Sequence, residues 1–172
     1  MKLLTRDEII SALAALNERL AGREVQASCY LVGGAVMCLA LEARNSTRDI
    51  DAWFTEAQEV RQAVAEVAED LGLPKDWLND AAKGFIPEHA GFERWRSFSN
   101  LDVSVADVRT LLAMKCAAAR TVEDAADIRF LAARLGLRST EEALEVVLEY
   151  YPEERLPVRA RLLLEEIFDD RG

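Results

Sequence analysis

At 172 residues and 51% hydrophobic content, the chain is long enough for one domain, or for a compact core with an appended lobe. Its net charge of −10 argues against broad nucleic-acid binding, because phosphate contacts need clustered Lys and Arg. Lys83, Arg94 and Arg96 offer only a local basic patch, and an acidic surface suits a basic partner protein.

No apolar run reaches the ~18 residues of a membrane span. The opening Met1-Lys-Leu-Leu-Thr-Arg-Asp-Glu8 turns acidic at once and does not read as a signal peptide. Cys29, Cys38 and Cys116 are far apart in apolar surroundings. They read as buried thiols in a reducing cytoplasm, and a zinc site needs closer spacing.

In chain order, Thr5-Arg-Asp-Glu8 is a capping box, and Ile9, Leu13, Leu16 and Leu20 follow at helical spacing. A helix is therefore expected over about 6–20, ended by Gly22. Residues 27–32 form a short apolar strand that feeds Gly33-Gly34, and 35–43 form a helix uncharged until Glu42. A second strand is expected over 49–55. An amphipathic helix spans 56–71, punctuated by Gly72 and Pro74. A short helix over 74–80 would carry Trp77 and Leu78 inward. The aromatic stretch 84–98 suggests strands or an ordered loop.

Asn100–Val105 alternates strictly, with Leu101, Val103 and Val105 inward and Asp102 and Ser104 outward. From Asp107 the pattern is helical: 108–119, then 121–135 opened by Thr121, then a helix capped at Ser139, and a last one after Pro157 that ends in Asp169-Asp170. Strands followed by helices predict an α+β fold, with a core over 1–106 and a helical C-terminal lobe over 107–172 packed on it.

The chemistry concentrates between Leu31 and Phe54. Residues i and i+2 of a strand share a face, so Asp49 and Asp51 point the same way and Ile50 points into the core. Paired carboxylates repel, and a divalent cation between them relieves the repulsion. Mg²⁺ is typically held by one or two carboxylates plus substrate phosphate oxygens. A glycine pair before a helix lets backbone N–H groups approach a phosphate. The bland readings are a strand with one wet face for the two aspartates and a tight turn for Gly33 and Gly34.

Gly-Gly, a helix and Asp-hydrophobic-Asp together resemble the nucleotidyltransferase superfamily. The gap of residues 35–48 is slightly longer than usual, and Arg44-Asn-Ser-Thr47-Arg-Asp49-Ile-Asp51 resembles the variant found in AbiE-type toxin and small antibiotic nucleotidyltransferases. Leu111-Leu-Ala-Met-Lys115 through Arg120 to Asp124 and Asp127 is similar to a later AbiE-type motif. Trp77-Leu-Asn-Asp80 resembles a segment of uncharacterised bacterial relatives. The likeness spans about 31–135 and implies a mixed-sheet nucleotidyltransferase-like core.

It implies that Gly33, Gly34, Thr47 and Lys115 bind the nucleotide of an NTP substrate, and that Asp49, Asp51 and a later strand acid, Asp102 by position, are catalytic and hold Mg²⁺. Solvation is the rival reading for Asp102. An interhelix salt bridge is the rival for Lys115 and its neighbours, and the one preferred for Arg120, Asp124 and Asp127. The resemblance further implies an RNA acceptor, such as a tRNA end, and a cognate antitoxin partner. Two alternatives stay open: transfer to a small antibiotic-type hydroxyl, and a non-catalytic interaction module that kept the fold. His89 is the sole histidine and has no nucleophile motif beside it.

Overall fold

The structure, a computed structural model, describes residues 2–119 and 122–169. It is α+β, with a mixed five-stranded sheet and seven α-helices among the described residues. The chain divides into two units: residues 1–84 with 92–106, and residues 85–91 with 107–172.

The first unit begins with a two-residue strand, β1 (Leu4–Thr5), and the helix α1 (Arg6–Gly22). Thr5 and Glu8 close the expected capping box, each side chain taking the other's backbone N–H. The central strand β2 (Ala27–Val32) has β4 (Ile50–Phe54) antiparallel on one side and β7 (Leu101–Ala106) parallel on the other. β5 (Leu78–Asn79) and β6 (Phe92–Ser97) complete the order β5-β4-β2-β7-β6.

One face of the sheet is apolar. Cys29, Leu31, Ile50, Ala52 and Val103 are all buried, together with the stripe Ile9, Leu13, Leu16 and Leu20 of α1. The helix α3 (Ala57–Leu71) buries Val60, Val64 and Val67; its Glu66 pairs with Arg23, just past the end of α1, and its Asp70 with Arg19 of α1. The other face carries Ser28, Tyr30, Asp51, Trp53, Asp102 and Ser104, none of them fully buried.

Three local features depart from expectation. Residues 77–79 are not helical: Ile50 N donates to Trp77 O, and β5 runs parallel to β4. Trp77 and Leu78 are buried all the same, with Trp77 Nε1 donating to Val64 O. The helix after the glycines, α2 (Gly34–Leu39), stops short of Ala43, and Glu42 adopts a left-handed φ of 52° just beyond it. Finally, β1 pairs with β3 (Ser46–Thr47), placing Leu4 opposite Thr47.

The second unit holds α4 (Val108–Ala118), α5 (Val122–Arg134), α6 (Thr140–Leu148) and α7 (Val158–Asp169). Leu111, Leu131, Val147 and Leu164 are buried in it. Residues 85–91 belong here by their bonds. Gly91 N donates to Thr110 Oγ1 at 2.9 Å, and Tyr151 Oη donates to Phe85 O at 2.5 Å. Gly91 is required, because an added Cβ would sit 1.9 Å from the Asp107 carboxylate that caps α4. The expected helix opener Thr121, Arg120 and the tail residue Asp170 lie outside the described residues.

Among the described residues no helix is long and apolar enough to cross a membrane.

Candidate active site

β2 ends in the Gly33-Gly34 turn, and β4 begins beside it. Val32 is the register partner of Asp51, so the turn and the aspartate meet at one end of the β2–β4 pair. Gly33 has φ 67° and ψ −144°, a conformation open to glycine and strained for any L side chain. A Cβ placed there would lie 3.5 Å from Asp51 Oδ2. The carboxylate therefore stands against the bare backbone of the turn.

Gly34 is needed for a different reason. A Cβ on it would come within 2.8 Å of Thr47 Oγ1, and Arg44 Nη1 would lie 3.6 Å away. Thr47 is buried and its hydroxyl donates to Asp49 O at 3.2 Å. Its backbone is held by β1, so the N-terminal strand fixes the approach to Asp49. Gly33 supplies no side-chain cap to α2, which leaves its first-turn N–H groups without that partner. The turn thus combines open backbone, a neighbouring guanidinium and an adjacent carboxylate.

Asp49 precedes β4 and is half-buried. Burial pushes its carboxyl above the usual range, and the nearby Asp76 carboxylate pushes it further, against a smaller opposing pull from Arg48. A group in that state gains from a cation. Asn79 lies opposite Asp51 in the β4–β5 register. Asp80 pairs with Arg61. Sequence reasoning quoted Arg44 only as part of a motif and did not single out Asp76. Both lie outside the strands and helices, where no periodic signature in the sequence marks a neighbour.

The structure does not bring Asp102 to this end of the sheet. Asp102 is the partner of Ser28, whereas Asp51 is the partner of Val32. Four residues of β2, about 13 Å, separate the two levels, with one strand between them. Asp102 shares the face of Asp51 but sits at the far end. Among the described residues, no group of three or more His, Cys, Asp or Glu side chains is arranged to hold a metal ion. Asp51 stands at the glycine turn and Asp49 two residues before it; a Mg²⁺ site needs only one or two carboxylates, completed by phosphate oxygens and water.

Lys115 lies on α4 in the second unit. Its Nζ contacts Asp124 Oδ1 at 3.0 Å and Asp127 Oδ2 at 2.8 Å, and all three side chains are largely buried. His89 stands in the 85–91 segment of the same unit.

A family model described as "Nucleotidyltransferase of unknown function (DUF6036)" matches residues 6–139. No curated protein and no solved structure matches the chain.

Proposed function

The chain belongs to this nucleotidyltransferase family, and from that premise we propose that it transfers a nucleoside monophosphate from an NTP to a hydroxyl acceptor in a Mg²⁺-dependent reaction. The observation that carries the reading is the Asp51 carboxylate set against the side-chain-free backbone of Gly33. A triphosphate seated on Gly33 and Gly34, with Arg44 alongside, has its reacting phosphorus within reach of Asp49 and Asp51. Asp49 and Asp51 are the residues that would hold Mg²⁺, and the ion would supply charge neutralisation to the phosphoryl transfer. The acceptor oxygen bonds to the α-phosphorus, the α–β bridging P–O bond breaks, and pyrophosphate leaves with that electron pair. The acceptor proton passes to solvent. Thr47 positions Asp49 by hydrogen bonding to its carbonyl.

This reading uses two carboxylates and leaves Asp102 out, because of its level on the sheet. It keeps Lys115 as a structural ion pair. An RNA end is the acceptor we favour, and a cognate antitoxin the partner, the latter resting on the −10 charge and its fit to a basic protein. The two-carboxylate set also favours a second reading, a nucleotide-binding module without turnover.

Thermal melts with each NTP, with and without Mg²⁺, test the proposal. A ligand at ~100 times its Kd stabilises by roughly 2.7 kcal/mol, and about 2–4 °C per kcal/mol gives a rise of about 5–11 °C. The rise is expected to need Mg²⁺ and to vanish in Asp51→Asn. No shift with any NTP would sink both readings. A shift without transfer to RNA or small hydroxylated acceptors would select the second.

A further inference from the structure

The last helix of the second unit, α7, buries Ala160, Leu164 and Ile167. At about 100° per residue those three centre on one direction, and Val158, Leu162, Glu165 and Asp169 centre on the opposite one. Val158 is 80% exposed and Leu162 58%, one turn apart on that outward face. Arg161 and Glu166 flank them, both exposed.

Two exposed apolar side chains are ordinary on any surface. The charges around them are not. The macrodipole of a helix favours acids in its first turn and bases in its last. α1 follows that order with Asp7 and Glu8 at its start and Arg19 at its end. α6 opens on Glu141 and Glu142, and α4 and α5 close on Lys115 and Arg134. α7 reverses the order. Arg159 and Arg161 stand in its first half, with no acid in the first turn. Glu165, Glu166 and Asp169 stand in its second half, with no base in the last turn. Exposed Arg155 adds a cation just ahead of it. Arg161 and Glu165 are four residues apart, yet among the described residues neither they nor Glu166 enters an ion pair. Within one chain these charges oppose the dipole of the helix that carries them.

A second α7 laid antiparallel removes that opposition, because each basic end then lies beside the other's acidic end. A two-fold axis near Leu162 makes both contacts at once, the same surface serving on both sides. We propose that the chain forms a two-fold dimer through α7. Val158 and Leu162 of the two copies meet at its centre, and Arg155 and Arg161 of each copy face the acids of the other. A uniformly acidic or basic partner would match only one end of the helix, so the charge order selects a second copy. The 12 residues of α7 give about 18 Å of contact, at the small end of specific interfaces, so the dimer is weak and sensitive to salt. It rests on α7 alone and holds whatever the chain transfers.

Sedimentation velocity on the full chain, from ~1 μM to ~1 mM, tests the proposal. The native chain is expected to pass from monomer to dimer over that range. Leu162→Glu is expected to weaken the dimer at least about tenfold, through lost burial and added charge. Arg155→Glu with Arg161→Glu makes α7 acidic throughout, and Glu165→Arg with Glu166→Arg makes it mostly basic. Each of these is expected to stay monomeric alone, and the two mixed to recover a dimer. Melts of each variant confirm folding. A short bis-maleimide reads direction, with the native chain, whose described cysteines are buried, as the blank. It is expected to join copies carrying Leu162→Cys but not Asp169→Cys, whose thiols lie about 21 Å apart along the axis of an antiparallel pair. A monomer at every concentration, a dimer indifferent to Leu162→Glu, no recovery on mixing, or equal cross-linking at both positions overturns the proposal.

Discussion

At the residue scale the two glycines answer to different constraints and should fail differently. Gly33→Ala forces an L side chain into φ 67°, a strain of about 1–3 kcal/mol, beside Asp51. Gly34→Ala drives a Cβ into the buried Thr47 hydroxyl and must shift Thr47, whose bond to Asp49 O then lengthens. Both variants are expected to lose the Mg²⁺-dependent NTP shift. Only Gly34→Ala should change the hydrogen exchange of the Ser46–Thr47 amides that pair with β1, a split that exchange mass spectrometry reads. Lys115→Met leaves Asp124 and Asp127 facing each other in a largely buried place. It is expected to cost about 3 kcal/mol in urea unfolding. Gly33, Gly34, Asp49 and Asp51 stood out in the sequence because their chemistry is compressed into a short span. Arg44 and Asp76 did not, because they come alongside only through loop geometry.

At the element scale, periodicity carried the long helices and the alternating strands β2, β4 and β7. Leu101-Asp-Val-Ser-Val105 buries the residues its alternation marks. Face was legible there, but level was not. Parity put Asp102 on the side of Asp51, and only the parallel register with β2 revealed how far along it sits. β1, β3 and β5 are two residues each, too short for any period, and they exist because a partner takes their backbone bonds. The start of β7 depends on one helix residue. Buried Asn17 of α1 accepts from Asn100 N at 2.7 Å, and its Nδ2 lies 3.2 Å from Ser99 Oγ. Asn17→Ala strands that N–H and is expected to cost about 1–3 kcal/mol, with faster exchange at Asn100 as the local signature.

Across the molecule, burial raises the Cys29, Cys38 and Cys116 thiols and the Tyr151 phenol among the described residues, all in one direction. Burial pushes the Cys29 and Cys116 thiols and the Tyr151 phenol up to about 12 from 9.0, 9.0 and 10.0. Between those limits the folded chain holds protons that the unfolded chain releases, so stability falls as pH rises. The melting temperature is expected to drop progressively above about pH 9, and Cys29→Ala with Cys116→Ala should shallow that slope. A slope unchanged by the two replacements would assign the alkaline loss elsewhere. The strand order has a consequence for biosynthesis as well. β2 receives β4 from the adjoining segment, but its other neighbour, β7, begins only at Leu101. At ~5–20 residues per second a ribosome needs about 3–10 s to travel from β4 to the end of β7. For that interval the nascent chain has both halves of its glycine-turn end in hand, Gly33-Gly34 and Asp51, while β2 keeps an unpaired edge, the kind of edge that recruits chaperones or a second nascent strand.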